Sequence, residues 1–244
     1  NDNFNIMTNE DKKNFLNLLG VENYIEYKFN KTLSSLDAKS FIEKILVQQL
    51  NIKKIVVGKD FRFGKDRKGD TTLLKKFSNK YHYKLHIIDH VKNKKTNLKF
   101  SSSIIRKDIN EGSFEKVFEA LGRHWFMQGK IIKGDQKARL INFPTANIKP
   151  GNHILPKKGV YCVKVILEGK TYKGIANFGE RPTVKGLNLL LETHLFEFNS
   201  NIYGKQLTVE FLTFIRPEKK FKNFKSLTTQ IKKDVITAKK YHKI

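Results

Sequence analysis

Several residue types that stabilise secreted proteins or cross membranes are scarce in this sequence. A single cysteine, Cys162, excludes an internal disulfide, and its place in the apolar run 160–163 predicts a buried, inert thiol in a reducing compartment. No apolar run reaches the roughly eighteen residues of a membrane span, and the 15 glycines and 5 prolines show no collagen period. No secretion signal is visible, so a cytoplasmic protein is expected, although the start at Asn1 leaves open an upstream segment.

Acidic residues are also few. The 244 residues include 23 Asp and Glu and 48 Lys and Arg, which gives a net charge of +25. Residues 1–122 hold 24 basic and 15 acidic side chains, and residues 123–244 hold 24 and 8. An excess spread over both halves is typical of solvated lysines, so neither a nucleic acid nor a membrane is expected as partner. Only seven basic residues carry the planar fork that suits phosphates and carboxylates: Arg62, Arg67, Arg106, Arg123, Arg139, Arg181 and Arg216.

The first half alternates between helix and strand patterns. Apolar residues at helical spacing predict helices over residues 9–20, 36–50, 102–110 and 114–121. Short β-branched or aromatic runs predict strands over residues 24–29, 54–58 and 83–89. Strands separated by helices favour a parallel α/β sheet for this half.

From Trp125 the pattern changes to strands that follow one another with turns between them. The predicted strands are 127–133, 159–167, 171–178, 189–198 and 206–215, with hairpins at 168–170 and 201–205. An antiparallel barrel is expected, covered by a final amphipathic helix whose apolar stripe comprises Leu227, Ile231, Val235 and Ala238. The boundary between the halves is placed near Gly122.

Two groups of residues are candidates for metal binding or catalysis. Thr145 and Asn147 lie two residues apart in Pro-Thr-Ala-Asn, so their oxygens would share one face of an extended segment and could hold Mg²⁺ and phosphate, although an ordinary turn is the alternative. Glu192 shares strand parity with Leu190 and Phe196, so a carboxylate is expected on a core-like face, where it needs a partner or a catalytic role. His194, on the same face, is interpreted as a packed histidine.

These segments resemble the bacterial bifunctional riboflavin kinase/FMN adenylyltransferases (FAD synthetases). In the second half the resemblance is carried by residues 122–148, Gly-Glu-Arg-Pro-Thr at 179–183, Glu-Thr-His-Leu-Phe-Glu-Phe at 192–198 and Phe-Ile-Arg-Pro-Glu-Lys-Lys-Phe at 214–221. In the first half it is carried by residues 56–64 and 101–106. The resemblance implies a Rossmann-like adenylyltransferase domain over residues 1–122 and a six-stranded kinase barrel with a C-terminal helix over residues 123–244.

For the kinase half the resemblance implies phosphoryl transfer from ATP to riboflavin, giving FMN. Thr145 and Asn147 would hold Mg²⁺ and the ATP phosphates, and Glu192 would act as base toward the ribityl hydroxyl. Residues 134–143, with Gly134 and Arg139 as nucleotide contacts, match a flexible flap. The flap departs from the family in having Ala138 and Asn142 where glycines are usual. Arg216 and Glu218 match a loop that closes over the flavin.

For the adenylyltransferase half the resemblance implies conversion of FMN to FAD. The flavin-proximal loop matches Asp60, Phe61, Arg62 and Phe63, and the second nucleotide motif matches Ser102, Ser103 and Arg106. The family's His-containing nucleotide motif has no counterpart in residues 1–244. This half is therefore expected either to begin inside the domain or to be degenerate.

Two alternatives belong to other classes of protein. A basic barrel could bind RNA by stacking bases on Phe61, Phe63, Tyr81 and Tyr83. A non-catalytic flavin carrier is the second alternative, and it would require that Glu192 or Thr145 has no role in catalysis.

Overall fold

A computed structural model of the chain describes residues 4–94, 96–133, 143–183 and 186–244. The chain forms two compact units. The smaller unit is Leu19–Phe100, and the larger unit combines Asn1–Leu18 with Ser101–Ile244. The boundary between the proposed catalytic domains near Gly122 stays a prediction.

The smaller unit is built around two parallel strands joined through a helix. Its helices are α2 (Lys31–Ser35), α3 (Ala38–Ser40), a π-helical continuation (Phe41–Gln49), a 3₁₀ turn (Lys65–Arg67) and α4 (Thr71–Tyr81). Strands β1 (Lys54–Gly58) and β2 (Lys84–Ile88) pair in parallel, with Ile55 opposite Leu85. The α/β class predicted for this part of the chain is confirmed.

Side-chain caps explain where these helices begin. Asn30, Asp37 and Asp70 each accept a hydrogen bond at 2.9 Å from the backbone N–H three residues later. Leu36 is extended (φ −64°, ψ 124°), so the helix predicted from residue 36 begins only after Asp37. The apolar faces meet in a core that includes Ile42 and Leu74, both fully buried.

The strand predicted over residues 24–29 is wrong. These residues form no ladder with any described strand, and Ile25 and Phe29 are 59% and 81% exposed. A β-branched or aromatic run supplies strand propensity, but a strand also needs a partner for its backbone groups.

The described part of the larger unit contains one antiparallel sheet and four helices. The helices are α1 (Asn9–Leu18), α5 (Ser102–Glu111), α6 (Phe114–Leu121) and α7 (Phe224–His242). The strands are β3 (Phe126–Lys130), β4 (Ala146–Ile148), β5 (Gly159–Leu167), β6 (Lys170–Thr183), β7 (Gly186–Leu195) and β8 (Gln206–Pro217). They are ordered β3-β8-β5-β6-β7-β4, and Ile132 N–H donates to Asn147 O (2.9 Å), so the two edges meet. The predicted six-stranded barrel is confirmed.

Alternating side chains fill the barrel, and an aromatic group packs beside them. Phe114 of α6 lies 5.0 Å from Phe211 and 5.8 Å from Trp125 between ring centroids, and all three rings are buried. Burial of rings of this size is the largest apolar contribution that single side chains make to a core.

Helix α7 covers part of the outer surface of the sheet, as predicted. Ala238 packs in a second cluster with Val160, Cys162, Ile175 and Phe196. Cys162 is fully buried, and burial raises the pKa of its thiol to about 12, so it stays protonated and inert. Both faces of the sheet are therefore apolar where α7 lies.

Of the two predicted hairpins, one is confirmed and one is wrong. Leu167 pairs with Lys170 across a two-residue turn in which Glu168 (φ 49°) and Gly169 (φ 76°) are left-handed. Residues 201–205 do turn, but β7 and β8 are separated in the sheet by β5 and β6. Turn residues identify a reversal of the chain without specifying which strands pair.

A buried hydrogen bond between a carboxylate and a histidine ties the N-terminal helix to the segment before β5. Asp11 of α1 lies 2.8 Å from His153 Nε2, with side chains 1% and 2% exposed. Burial acts to raise the pKa of Asp11, but hydrogen bonds from His153 and Thr8 outweigh burial and lower the pKa. The ionised Asp11 therefore stabilises the folded state above its ordinary pKa of 3.8, and that contribution is lost as the pH falls further.

We predict that Asp11→Asn lowers the free energy of unfolding at pH 7 by about 1–3 kcal/mol, because a buried charge-assisted bond is lost. Urea denaturation followed by circular dichroism measures the difference. Glu10→Gln, on the exposed side of α1, is the control. Asp11→Asn and the parent protein should converge in stability as the pH falls below 3.8 and through the lowered pKa of the folded Asp11. An equal difference at pH 7 and at about pH 2 would contradict the role of the ionised carboxylate.

Candidate functional site

The register of three strands places three polar side chains in one row across the sheet. Glu192 of β7 is paired with Asn147 of β4 on one side and with Asn177 of β6 on the other. Directly paired residues project from the same face of a sheet, so the carboxylate lies between two carboxamides. We refer to Asn147, Glu192 and Asn177 as the polar row.

The polar row lies on the outer face, so the predicted placement of Glu192 on the core face is wrong. Leu191, Thr193 and Leu195 are the buried residues of β7, and the Glu192 side chain is 26% exposed. The error arises because leucines occupy both parities of this strand and α7 buries part of the outer face. A partner for the carboxylate was expected, and the structure provides one.

Arg181 of β6 binds two carboxylates at once. Its Nε donates to Glu192 Oε2 at 3.0 Å, and its Nη2 donates to the same oxygen. Its Nη1 donates to Glu218 Oε1 at 3.2 Å and to the Glu180 carbonyl at 2.8 Å. Burial acts to lower the pKa of Arg181, but the bonds to Glu192 and Glu218 raise it, so the guanidinium stays charged.

Gly179 has no side chain, and the Glu218 carboxylate occupies the space where one would lie. A Cβ at Gly179 would overlap the Glu218 carboxylate. The neighbouring Asn177 side chain is oriented so that its carboxamide oxygen accepts a hydrogen bond from Arg181. Its carboxamide nitrogen donates a hydrogen bond to Gly159 O at 3.3 Å. Glu218, Arg181, Glu192 and Asn177 therefore form one connected group of side chains.

Asn147 and Thr145 provide neutral oxygens beside this group. Asn147 is 5% exposed, and its Oδ1 is buried with no hydrogen-bond partner among the described residues. A buried carbonyl oxygen without a donor is costly unless a ligand satisfies it. Oxygen donors of this kind suit Mg²⁺ together with phosphate, so the residues present fit the metal that the resemblance implies.

His194 holds the segment that carries Thr145. Its Nδ1 donates to Pro144 O at 2.8 Å, and its ring lies 4.4 Å from that of Phe143 between centroids. Burial lowers the pKa of His194, which keeps the ring neutral near pH 7. It acts as the packed histidine that the sequence predicts, and Thr145 and His194 line one groove with residues 197–203.

Arg216, matched to the flavin loop, is paired with α7. Its Nε lies 2.9 Å from Asp234 Oδ1 and its Nη2 2.6 Å from Asp234 Oδ2, and Asp234 is 4% exposed. Glu218, two residues later, instead bonds to Arg181. A flavin contact by either residue stays a prediction.

The residues that the resemblance matches to a flavin-proximal loop lie together in the smaller unit. Asp60 bonds to Lys99 Nζ at 2.9 Å, which together with nearby His90 lowers its pKa. Arg62 pairs with Asp70 at 3.0 Å, and the rings of Phe61 and Phe63 stack at 5.5 Å. Their predicted contact with flavin is untested.

Ser102, Ser103 and Arg106 occupy the first turns of α5 in the larger unit. Ser101 caps this helix by accepting from Ile104 N–H at 3.3 Å. Arg106 Nη1 lies 3.4 Å from Ser102 Oγ, and its guanidinium stacks on Phe4 at 3.6 Å from the ring centroid. The hydroxyls and the guanidinium share one helix end, and their contact with phosphates stays a prediction.

Residues 134–142 of the predicted flap lie outside the described residues, and they include Gly134, Ala138, Arg139 and Asn142.

Sequence reasoning did not assign Arg181 or Asn177 to the site. The sequence marks Arg181 only as one of seven arginines and as part of Gly-Glu-Arg-Pro-Thr. The sequence offers one further signal: Arg181 is the single arginine of β6, and Glu192 is the single glutamate of β7. If the two strands are neighbours, Arg181 is a candidate partner for Glu192. The pairing of β6 with β7, on which that inference depends, is visible only in the fold.

Two of the four aromatic residues that an RNA-binding protein would use to stack on bases are buried. Phe63 is 7% exposed and Tyr83 is 4% exposed, with Tyr83 Oη donating to Leu74 O at 2.7 Å. Rings packed into a core cannot stack on bases.

The described residues contain neither a cluster of metal ligands nor a helix that could span a membrane. They contain no group of three or more His, Cys, Asp or Glu side chains placed to hold a metal. None of the described helices combines the length and the hydropathy needed to cross a membrane.

Comparison with known families assigns both halves of the chain. The riboflavin kinase family matches residues 121–242, and the FAD synthetase family matches residues 1–103. The bifunctional riboflavin kinase/FMN adenylyltransferase of Haemophilus influenzae is 39% identical over 238 residues, 97% of this chain and 76% of that protein. The Bacillus subtilis protein of the same name is 37% identical over 236 residues, 95% of this chain and 73% of that protein. The resemblance seen in the sequence is confirmed.

A solved structure has the same fold over most of the chain. It is described as a macrolide-efflux protein from Streptococcus pneumoniae, and it matches with a TM-score of 0.84 at 30% identity. The match covers 96% of this chain and 75% of that one.

Proposed function

This chain belongs to the family of bifunctional riboflavin kinase/FMN adenylyltransferases, which make flavin cofactors, and we propose that the polar row is its kinase site. The observation that supports this assignment most strongly is the pairing of Glu192 with Asn147, whose buried Oδ1 lacks a partner among the described residues. A base and a ligand for the phosphate-bound metal are thereby adjacent on one face. The substrates proposed for this site are ATP and riboflavin, and the products are FMN and ADP.

In the proposed reaction the terminal ribityl hydroxyl attacks the γ-phosphorus of ATP. Glu192 accepts the hydroxyl proton, a bond forms between the hydroxyl oxygen and the γ-phosphorus, and the bond from that phosphorus to the bridging oxygen of ADP breaks. Phosphoryl transfer depends mainly on positioning and on charge stabilisation, and a carboxylate orients the nucleophile.

Thr145 and Asn147 are the residues proposed to hold Mg²⁺ with the ATP phosphates. The metal would neutralise negative charge on the phosphates. Neutral protein ligands leave the charge of the metal available to the nucleotide, whereas carboxylates would cancel it. His194 supports this arrangement by fixing Pro144 next to Thr145.

We predict that Glu192→Gln lowers the rate of FMN formation about 10²- to 10⁴-fold, because an amide cannot accept the proton. The fold and riboflavin binding should survive, since the side chain is on the outer face and keeps its size. Single-turnover assays with chromatographic separation of FMN measure the rate, and fluorescence titration measures flavin binding.

Glu168→Gln is the matched control for this prediction. Glu168 lies at the β5–β6 turn and is 61% exposed, so its loss should leave turnover unchanged. Wild-type turnover in Glu192→Gln with unchanged flavin binding would show that Glu192 is not the base.

We predict that Asn147→Ala and Thr145→Ala weaken MgATP binding by at least about tenfold and riboflavin binding by less than about threefold. The reason is that both oxygens are assigned to the metal and the phosphates. Isothermal titration of each ligand measures the two affinities, with exposed Thr171→Ala on β6 as the control. Equal losses for both ligands would indicate a folding defect, and no loss for either would remove the metal site.

For the second activity, adenylyl transfer to FMN, we propose Asp60, Phe61, Arg62 and Phe63 as flavin-proximal residues. The phosphate contacts are assigned to Ser102, Ser103 and Arg106. These residues supply one side of the donor set needed for charge that develops on the phosphates. The proposed compartment is the cytoplasm, which supplies ATP and suits the free thiol of Cys162.

We predict that the polypeptide of residues 1–244 converts riboflavin to FMN at least about 10²-fold faster than it converts FMN to FAD, because the His-containing nucleotide motif is absent from it. Chromatography of a reaction with ATP, Mg²⁺ and riboflavin resolves both products. Comparable rates for FMN and FAD would mean that other residues replace that motif.

A further inference from the structure

We propose that Arg181 is the positioning residue of the kinase site, fixing Glu192 through one carboxylate oxygen and linking it to Glu218. The inference rests on the proposed function, because it requires Glu192 to be the base. Arg181 itself touches neither the transferred phosphoryl group nor the flavin in this proposal.

Arg181 binds Glu192 through a single carboxylate oxygen. Both donors, Nε and Nη2, end on Oε2. Among the described residues no hydrogen bond reaches Oε1. One oxygen is therefore held while the other remains able to accept a proton, and we assign Oε1 as the basic atom.

The guanidinium of Arg181 is also held rigidly. Its Nη1 donates to the Glu180 carbonyl at 2.8 Å, so the fork is anchored to the backbone of its own strand. The Arg181 side chain is 28% exposed, which limits competition from water. A lysine would keep the charge, but it has a single ammonium group on a flexible stem and cannot hold two carboxylates in fixed directions.

Arg181 also binds the other carboxylate, that of Glu218. Glu218 Oε1 lies 3.2 Å from Arg181 Nη1 and occupies the space that the missing side chain of Gly179 leaves. Glu218 follows β8 in the segment whose Arg216 is bonded to Asp234 of α7. Arg181 therefore connects the orientation of the base with the placement of this segment, which is the one matched to the flavin loop.

Among the described residues, Arg181 is the ionic partner of Glu192. Its row neighbours, Asn147 and Asn177, are neutral, and burial keeps His194 on the same strand face neutral near pH 7. Glu218 repels Glu192 unless Arg181 lies between them. Removing Arg181 would thus free the base and set two carboxylates against each other.

The test measures the rate of chemistry separately from ligand binding. Arg181→Met should lower the single-turnover rate of FMN formation about 10- to 100-fold while the Kd of MgATP changes less than about threefold. Arg181→Lys should recover part of the rate. A large rise in the Kd of MgATP would overturn the proposal, because it would place Arg181 on the phosphates.

A double-mutant cycle shows whether Arg181 acts through Glu192. In a Glu192→Gln background, Arg181→Met should change the residual rate less than about threefold. The same 10- to 100-fold loss in that background would overturn the proposal. If Glu192→Gln alone keeps the wild-type rate, the proposed function fails instead, so the two failures are distinguishable.

Gly179→Ala tests the link to Glu218. The added methyl group displaces only the end of a flexible side chain, so the fold should be retained, as checked by circular dichroism. We expect Gly179→Ala and Glu218→Gln each to lower the single-turnover rate about three- to tenfold, with nearly the same value when combined. Wild-type rates in both variants would overturn the link.

Discussion

The pairing register of β7 between β4 and β6 is the constraint on which the site depends. It sets Asn147, Glu192 and Asn177 side by side, and it simultaneously sends Leu191, Thr193 and Leu195 into the barrel. A slip of one residue would exchange the two faces and bury a carboxylate among apolar side chains. The same apolar burial that stabilises the barrel therefore fixes the position of the proposed base.

Two arginines on the outer face extend this order to residues 216–218, at the end of β8. Arg216 bonds to Asp234 of α7, and Arg181 bonds to Glu218 and Glu192. The segment is consequently held by α7 at residue 216 and by β6 at residue 218. Partly buried ion pairs add little net stability, but they specify one arrangement among several, which is the property that a site for phosphoryl transfer needs.

The sequence predicted most of the larger unit because alternating burial is strong there. The bounds of β5 agree with the prediction, and the apolar stripe of α7 correctly identified the face that packs on the sheet. The prediction of a strand over residues 24–29 is wrong because strand propensity does not supply a pairing partner. The hairpin at 201–205 failed because a turn does not determine which strands become neighbours.

The site was only partly predictable for a related reason. Thr145, Asn147 and Glu192 stand out as polar residues in motifs. The partner of Glu192 could not be identified because Arg181 is eleven residues away and Glu218 is on another strand's end. The face of Glu192 was predicted wrongly because α7 makes the outer side of the sheet as apolar as the inner side in places.

The most direct test of the account locates the nucleotide on the protein without measuring activity. The complex of Mn²⁺ with ADP is titrated into isotopically labelled protein, and paramagnetic broadening of each backbone amide signal is recorded by NMR. The account predicts that the amides of residues 145–148 and of Glu192 broaden first, while those on the exposed side of α7, such as Thr237, stay sharp. Sharp signals at residues 145–148 when calorimetry shows saturation would contradict it.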